Sequence, residues 1–461
     1  MRKSRILLVL LCLVFAVSVL AGCGSKESGT TQTPSGGNQT TTSGNQGKSD
    51  EKIEMTFMGW GQPSEQEIFQ KMFNKFQDKN ANITVKYINV DPGQFATKLS
   101  TAIAGGTAPD VFYVTGGDFM KYVKSNTLLN LSPYLDSASV FDKNDVWPQA
   151  LIRWSSDGQI SGKGDLYALP KDVGPYPMVY NKTLMEECGV TPPDPKVPWT
   201  WEQFLDACAK MTKDKDGDGK IDQFGCAFIP NEAAIWSMGG SWLSEDKTRV
   251  TIDTPEFVKG LKLLYDITNT YHYAPNANEN SANSWWNRWL AGEIGITGMG
   301  PWDQPTFWTQ LEFEWDIAQW PMDKDTGISR NWLGSMGIGV YAKTKYQQQA
   351  FDLASYLTLD PDGQRELYQM GQMVPNLISM ARGEFLEMDK GPKSRFVFLD
   401  YIEKYSAPDI GSGNVDNKWL DQFNQDLAEV MNGKMSPEEW VKKEQPILQK
   451  LYEEGGNVPS N

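Results

Sequence analysis

Residues 53–58 read Ile53-Glu54-Met55-Thr56-Phe57-Met58, with apolar side chains at alternating positions up to Phe57. A period of two is typical of a β-strand that buries one face. Further strand-like runs are Ile83-Thr84-Val85-Lys86-Tyr87 and Asp110-Val111-Phe112-Tyr113-Val114. Apolar residues at helical spacing separate these runs, first Phe69, Met72, Phe73 and Phe76 and then residues 95–104. Because strands and helices alternate over short connections, we predict a mostly parallel α/β sheet.

Further short apolar runs typical of β-strands occur later in the chain. Short apolar runs occur at Met178-Val179-Tyr180, at Ile294-Gly295-Ile296 and at Gly337-Ile338-Gly339-Val340-Tyr341. From Ala350 onward, apolar residues recur mainly at the spacing of amphipathic helices. The predicted fold class is therefore α/β, with a helical C-terminal region.

The N-terminus has the parts of an export signal. Three basic residues (Arg2, Lys3 and Arg5) precede an apolar run over residues 6–20, which is too short for an ordinary membrane span. The run ends in Leu20-Ala21-Gly22-Cys23. This ending resembles the signal of bacterial lipoproteins, in which the cysteine is acylated and becomes the mature N-terminus. We therefore predict a lipoprotein signal peptide over residues 1–22 and lipidation of Cys23 with palmitate; a plain secretory signal and an uncleaved anchor helix are the alternatives.

Residues 23–50 are rich in Gly, Ser, Thr, Gln and Asn and hold almost no apolar side chains after Cys23. Such a segment cannot bury enough surface to offset the entropy lost on ordering. We predict that it is a flexible tether between the lipid anchor and the folded chain. The expected location is the extracellular face of the cell membrane, with membrane contact through the lipid alone.

Size, charge and cysteine content narrow the possible functions. The roughly four hundred residues after the tether exceed what one hydrophobic core usually supports, so two lobes are expected. The formal net charge of −15 becomes −18 when the three basic residues of the signal are removed, which argues against a nucleic-acid partner. Beyond Cys23, the mature chain has an odd set of cysteines (Cys188, Cys208 and Cys226), which argues against a disulfide scaffold.

Tryptophan is unusually frequent, with 17 residues in the chain, and several lie beside Gly, Pro, Asn or Asp. A tryptophan outside a periodic apolar pattern needs another flat surface to cover. The apolar face of a sugar ring is one such surface, and aromatic side chains often line ligand sites. The tryptophans in this setting are Trp60, Trp236, Trp242, Trp285, Trp286, Trp302 and Trp332.

A series of short motifs runs in order along the chain. It begins with Lys98-Leu99, Ala104-Gly105-Gly106-Thr107-Ala108-Pro109-Asp110-Val111 and Leu128-Leu129-Asn130-Leu131-Ser132-Pro133-Tyr134-Leu135. It continues with Leu166-Tyr167-Ala168-Leu169-Pro170-Lys171-Asp172, Tyr180-Asn181-Lys182 and Pro198-Trp199-Thr200-Trp201-Glu202-Gln203-Phe204. It ends with Gly298-Met299-Gly300-Pro301-Trp302, Ala342-Lys343-Thr344-Lys345 and Val374-Pro375-Asn376. In this order the motifs resemble the extracellular solute-binding proteins of bacterial ABC-type sugar importers, the group that includes maltose-binding protein.

The resemblance implies two α/β lobes joined by a hinge, which close on a ligand in the cleft between them. The first lobe is expected at residues 51–172 and 337–368, and the second at residues 173–336 and 369–461. The expected crossings are near residues 171–174, near residues 335–339 and past Leu367. The resemblance also implies a monomer that delivers a carbohydrate, expected to be an oligosaccharide, to the membrane permease of an ABC importer. Neither enzymatic activity nor a cofactor for function is expected.

The resemblance also implies where the ligand lies. Trp302 matches the family's stacking tryptophan, and Asp118 lies where the family has a carboxylate that accepts hydrogen bonds from sugar hydroxyls. Asp172 lies in a loop that usually faces the cleft. Helix N-capping is the alternative role for both aspartates. The other predicted ligand residues are Trp60, Glu232, Trp236, Trp242 and Trp332.

An acidic loop predicts a metal site. It reads Asp214-Lys215-Asp216-Gly217-Asp218-Gly219-Lys220-Ile221-Asp222, which places carboxylates at positions 1, 3, 5 and 9 of a calcium loop and the Lys220 carbonyl at position 7. Position 12 is Gly225 instead of the usual bidentate Glu. We therefore predict weak binding of a structural Ca²⁺ ion through Asp214, Asp216, Asp218, Lys220 and Asp222; an acidic surface turn is the alternative.

Two other functions stay open. A secreted glycoside hydrolase would also be acidic and rich in tryptophan, and it would need two carboxylates flanking the scissile bond. A binding protein for a peptide, a polyamine or iron would share the two-lobed architecture, although fewer loop tryptophans would be expected. The single histidine, His272, leaves no residues for a His-based triad or for a metal site with several histidines.

Overall fold

The computed structural model describes residues 51–138, 141–334, 336–408 and 410–458. The predicted signal peptide, the predicted lipidation site Cys23 and the predicted tether lie outside these residues. Within the described ranges, no helix has both the length and the apolar character needed to cross a bilayer.

The β-strands of the described residues form sheets of five, four, three and two strands. The strands are β1 (Ile53–Gly59), β2 (Ile83–Asn89), β3 (Val111–Val114), β4 (Ser155–Ser156), β5 (Asp165–Leu166), β6 (Ala168–Pro170), β7 (Gly174–Pro175), β8 (Met178–Asn181), β9 (Phe224–Cys226), β10 (Ile294–Gly298), β11 (Trp315–Ala318), β12 (Asn331–Gly334), β13 (Gly337–Val340) and β14 (Ser406–Pro408).

Helices fill the connections between strands and most of the C-terminal region. They are α1 (Pro63–Lys79), α2 (Pro92–Ala104), α3 (Gly116–Lys124), α4 (Ser132–Ser137), α5 (Pro148–Ile152), α6 (Lys182–Glu187), α7 (Trp201–Met211), α8 (Asn231–Ser237), α9 (Pro255–Tyr265), α10 (Ala277–Ala282), α11 (Trp285–Leu290), α12 (Gln304–Gln310), α13 (Gln347–Thr358), α14 (Pro361–Gln369), α15 (Ile378–Arg382), α16 (Phe396–Asp400), α17 (Lys418–Met431) and α18 (Pro437–Glu454). Short 3₁₀ turns lie at Lys143–Asp145 and Pro301–Asp303, and π-helical turns at Asp266–Thr270 and Tyr401–Tyr405.

The five-stranded sheet has the order β2-β1-β3-β13-β6. Strand β1 pairs in parallel with β2, where Ile53 lies opposite Ile83, and with β3, where Phe57 lies opposite Val111. Helix α1 buries Phe69, Met72, Phe73 and Phe76 against this sheet, as their helical spacing predicts. The α/β pattern predicted for the start of the chain is confirmed.

Strand orientation differs from the prediction, because both large sheets are mixed. In the first sheet, β13 is antiparallel to β3 and to β6. In the four-stranded sheet, of order β11-β8-β10-β9, strand β8 is antiparallel to both of its neighbours. The prediction of a mostly parallel sheet is wrong because these strands come from distant parts of the chain, so their direction is not set by a local strand–helix–strand unit.

A small sheet of order β14-β12-β7 lies at the passages between the two large sheets. The chain leaves the first sheet after β6, enters the small sheet as β7 and continues into the second sheet as β8. It returns through β12 of the small sheet to β13 of the first sheet. The predicted lobe boundary at residues 172/173 lies between β6 and β7, and the boundary at residues 336/337 lies between β12 and β13.

The segment that follows α14 stays beside the first lobe. The Trp147 indole N–H donates to the Pro375 carbonyl at 3.0 Å, and the Ser379 backbone N–H donates to Asp145 at 2.8 Å. Helix α5, which follows Trp147, packs against β6 of the first sheet. Contact with the second sheet comes later, where the Ser394 backbone N–H donates to Asp316 of β11 at 2.9 Å. The boundary predicted at residues 368/369 is therefore too early in the chain.

The C-terminal helices complete a second apolar core. Helices α17 and α18 pack on each other and on α9, which in turn packs on α8. The large side chains at the centre of this core are Trp242, Phe257, Trp419, Phe423, Trp440 and Tyr452. The predicted helical C-terminal region thus belongs to the folded body of the protein.

Candidate ligand-binding site

Aromatic side chains meet at strands β7 and β12 of the small sheet. Tyr176 directly follows β7, Trp332 lies in β12, and these two strands pair with each other. The rings of Tyr176 and Trp332 stack with centroids 4.9 Å apart and an angle of 21° between their planes. The Trp302 ring lies 6.3 Å from that of Tyr176. The fold therefore brings the predicted Trp302 and Trp332 together around Tyr176, which was not among the predicted ligand residues.

Two glycines make room for the Trp302 indole. A Cβ atom at Gly300 would lie 2.2 Å from the Trp302 ring, and a Cβ atom at Gly174 would lie 3.1 Å from it. Both distances are shorter than an ordinary carbon–carbon contact. The indole thus lies close against the backbone of both segments and stays partly exposed.

Two further rings extend this group. Phe228, just past β9, stacks on Trp285 with centroids 4.7 Å apart and planes 8° apart, and its ring lies 6.2 Å from Tyr176. The Phe228 side chain is 52% exposed although it is large and apolar. Its φ of 45° is also rare for a residue other than glycine, and such backbone conformations cluster at ligand sites. We call Trp332, Tyr176, Trp302, Phe228 and Trp285 the aromatic row.

Charged side chains adjoin the aromatic row. The Lys171 Nζ atom lies 2.8 Å from Glu65 Oε1 and 4.0 Å from Asp172 Oδ2. Glu65 Oε1 also accepts a hydrogen bond from Gln372 Nε2 at 2.9 Å. Asp303 directly follows Trp302, and its carboxylate accepts from the Gly300 backbone N–H at 2.9 Å. We call Glu65, Asp172 and Asp303, together with Lys171, the acidic floor.

Burial and mutual repulsion change the protonation of the acidic floor. Loss of solvation raises the pKa of Asp172 to about 6, with Glu65 adding to the increase and Lys171 and Arg153 opposing it. Loss of solvation also raises the pKa of Asp303 to about 7, opposed mainly by the hydrogen bond from Gly300. Glu65 belongs to the first lobe and Asp303 to the second, so the acidic floor joins the two sides of the cleft.

Trp60 directly follows β1, and Asp118 lies in α3, the helix that follows β3. The Trp60 ring packs edge-on against Phe95 and Tyr113, and it remains partly exposed. The Asp118 carboxylate accepts a hydrogen bond from the Thr115 hydroxyl at 2.9 Å, in the first turn of α3. Thr115 is the residue that caps α3, so Asp118 supports the cap without being the cap itself. Its side chain is 22% exposed.

The other predicted ligand residues lie in or beside α8. Glu232, in the first turn of α8, and Trp236 are partly buried. Trp242 is only 2% exposed and packs in the second core, where its ring lies 5.0 Å from Phe257 and 5.8 Å from Phe423. A side chain enclosed in this way has no surface to offer a ligand, so we leave Trp242 out of the candidate site.

The acidic loop brings together part of the predicted calcium ligands. Carboxylate oxygens of Asp214, Asp216 and Asp218 lie within 4.8 Å of one another on the surface, a spacing that one Ca²⁺ ion with oxygen ligands at about 2.4 Å can bridge. Asp222 instead accepts from the Lys215 backbone N–H at 2.7 Å, and the Lys220 ammonium contacts Asp218 at 2.8 Å. The structure thus places three of the five predicted ligand residues close together.

Known structures share this architecture. The chain superposes with a TM-score of 0.77 on an ABC substrate-binding protein from Listeria monocytogenes in complex with cycloalternan, at 24% identity over 87% of this chain and 99% of that one. The maltose/maltodextrin-binding domain MalE from Bdellovibrio bacteriovorus, bound to maltotriose, gives a TM-score of 0.70 at 18% identity over 87% of this chain and all of that domain. The fold is thus the two-lobed α/β fold of periplasmic solute-binding proteins.

Sequence comparison gives the family. The galactooligosaccharide-binding protein of Bacillus subtilis is 21% identical over 93% of both chains. The arabinooligosaccharide-binding protein of Halalkalibacterium halodurans is 23% identical over 44% of this chain and 46% of that protein, and several other relatives are likewise matched over about half of their length. The family model of bacterial extracellular solute-binding proteins matches residues 61–364, about two thirds of the chain. The chain therefore belongs to the bacterial extracellular solute-binding protein family.

Proposed function

We propose that the protein binds an oligosaccharide in the cleft between its lobes and delivers it to an ABC-type importer. The observation that carries this proposal is the aromatic row beside the acidic floor. Sugar rings present apolar C–H faces that pack on aromatic rings, and hydroxyls that donate to carboxylates. Relatives named for galactooligosaccharide and arabinooligosaccharide binding support the same ligand class.

Delivery requires that the importer distinguish the loaded protein from the free one. A ligand favours the closed form only through contacts that the open form lacks. Glu65 lies on the first lobe and Trp302 on the second, so a ligand touching both would make such contacts. The Asn417 side chain also donates to the Gly117 carbonyl at 3.1 Å and links the C-terminal region to the first lobe. Closure around a sugar therefore supplies the signal that a permease can read.

A thermal-shift screen over mono- and oligosaccharides tests this function. At least one neutral oligosaccharide should raise the melting temperature, because a ligand that binds only the folded state stabilises it by mass action. The same sugars, incubated with the protein and then separated by chromatography, should be recovered intact. Shortened products would support the hydrolase alternative, and stabilisation by peptides or polyamines alone would support a different solute.

We also propose that Cys23 carries a lipid anchor, on the strength of the signal that precedes it. Cys23→Ser should release the protein from membranes into the medium, because attachment then lacks the acyl chains that hold it. Immunoblotting of membrane and medium fractions measures this. Cys188→Ser is the matched control and should stay with the membrane. Retention of Cys23→Ser at the wild-type level contradicts the lipoprotein assignment.

We further propose that the acidic loop binds Ca²⁺ weakly through Asp214, Asp216 and Asp218. Chelation by EGTA should lower the melting temperature of the wild type, because bound metal stabilises only the folded state. The double variant Asp216→Ala/Asp218→Ala should melt at one temperature with and without EGTA. If EGTA does not change the wild-type melting curve, the loop is only a surface turn.

A further inference from the structure

Buried polar atoms without a hydrogen-bond partner gather around Lys171. Among the described residues, no donor reaches either carboxylate oxygen of Asp172, and Tyr113 Oη and Gln372 Oε1 also have no partner. Asp172 is 1% exposed. Gln372 and Lys171 both contact the Glu65 carboxylate. The Lys171 ammonium lies 5.8 Å from the centre of the Tyr113 ring. Buried polar atoms are nearly always hydrogen-bonded, so this cluster points to a bound molecule that completes it.

The chemistry of these atoms defines what that molecule must offer. Both oxygens of ionised Asp172 and the Gln372 amide oxygen can only accept hydrogen bonds, whereas the Tyr113 hydroxyl can donate or accept. Hydrogen-bond acceptors therefore outnumber donors among these unpartnered atoms. A ligand that pairs with them must offer several hydrogen-bond donors, and neighbouring hydroxyls of a sugar ring do so.

The charges around the cluster restrict the ligand further. Glu65, Asp172 and Asp303 carry negative charge when ionised, and the facing cations are Lys171 and Arg153. Lys171 already pairs with Glu65, and the Arg153 guanidinium donates to the Gly334 carbonyl at 2.6 Å. An anionic group placed beside Asp172 would meet a carboxylate whose neighbouring cation, Lys171 with its Nζ atom 4.0 Å away, is already paired with Glu65, in surroundings where little water screens the repulsion.

We infer that the acidic floor is a subsite for an uncharged sugar ring, whose hydroxyls donate to Asp172 and Gln372, and that it excludes sugars bearing a carboxylate or a phosphate. The inference rests on the proposed function, since it assigns a class of sugar to the same cleft. Selectivity for uncharged sugars arises from repulsion of anionic sugars as much as from attraction of neutral ones.

Stability provides a test that needs no ligand. The pKa of Asp172 is raised in the folded state to about 6 from an ordinary value near 4. The folded protein therefore binds more protons than the unfolded chain between these pH values, and its stability falls as the pH rises through this window. Asp172→Asn should melt higher than the wild type at pH 8 and close to it at pH 4. Asp136→Asn, at an exposed carboxylate paired with Lys143, should match the wild type at both pH values. A lower melting temperature of Asp172→Asn at pH 8 means that Asp172 has stabilising partners, which overturns the inference.

Binding measurements test the selectivity itself. Maltotriose, galactotriose and arabinotriose are each titrated calorimetrically beside the uronate made by oxidising their primary hydroxyls. The neutral sugar that binds tightest should bind the wild type at least about tenfold more tightly than its uronate, given the strength of unscreened charge repulsion. Asp172→Asn should reduce the ratio of the neutral-sugar affinity to the uronate affinity several-fold. If neutral sugars bind and the uronates bind equally well, only the selectivity is wrong. If none of the neutral sugars binds, the proposed function fails, and the inference fails with it.

Discussion

Trp242→Ala should lower the free energy of unfolding by about 3–5 kcal/mol, the range for a large aromatic side chain removed from a core. The Trp242 ring is enclosed by Phe257 and Phe423, in a core that joins α9 to the C-terminal helices. Its indole N–H has no hydrogen-bond partner among the described residues, so the expected loss comes from packing and the resulting cavity. Urea unfolding followed by circular dichroism measures the change.

Trp236→Ala is the matched control for this prediction. Trp236 lies 6.1 Å from Trp242 but is partly exposed, so its removal should destabilise the protein less. Sugar affinity should be unchanged in Trp242→Ala at temperatures where the variant is folded. Wild-type stability combined with weakened sugar binding would show that Trp242 faces the ligand, as the sequence first indicated.

Trp302→Ala should weaken oligosaccharide binding by about 1–3 kcal/mol, as is usual when a central aromatic anchor is removed. The indole is partly exposed and lies against glycine backbone, so little apolar packing is lost with it. Its effect on the melting temperature should therefore be smaller than that of Trp242→Ala. Isothermal titration of wild type and variant, with melting curves for both, separates lost binding from lost folding.

Trp308→Ala serves as the control for Trp302. Trp308 lies in α12, directly after the Trp302 turn, and its indole N–H donates to the Gly391 carbonyl at 2.7 Å. This side chain supports packing, so its loss should reduce stability with little change in affinity. If Trp302→Ala binds every tested sugar as well as the wild type while melting far lower, Trp302 is a packing residue and the site is misplaced.

Local patterns predicted the elements of the fold but not their directions. The alternation at residues 53–57 and the helical spacing from Phe69 to Phe76 each report burial within one element, and both are present in the structure. The direction of β13 depends on pairing with β3 and β6, which lie far away in sequence. No local period encodes such a contact, so the mixed sheets could not be read from these patterns.

The candidate site was predictable only where a residue lay at a recognisable strand end or motif. Trp302 and Asp172 had such a setting, whereas Trp332 was predicted only as a tryptophan beside Asn331; the fold brings all three to one cleft. Glu65 resembled an ordinary acidic residue in the first turn of a helix, which the helix dipole alone would favour. Phe228 follows β9, so its place after a strand was the one available signal.

Trp242 was predicted to bind ligand, but it lies in the second core. Its neighbours Gly239, Gly240 and Ser241 make the segment resemble a loop, which suggested an exposed ring. The side chains that bury it include Phe257 of α9 and Phe423 of the C-terminal helix α17. Because part of the burial of Trp242 comes from residues far away in sequence, the residues around it give no sign of its burial. A core tryptophan therefore resembled a ligand-binding one.

A crystal structure of the protein with its tightest-binding neutral trisaccharide tests the central claim most directly. We expect an intact sugar in the cleft, with one ring packed against Trp302 and hydroxyls within hydrogen-bond distance of the Asp172 carboxylate. These contacts would satisfy the carboxylate oxygens that have no hydrogen-bond partner among the described residues. A sugar bound elsewhere on the surface, or a cleaved product in the cleft, would contradict the account.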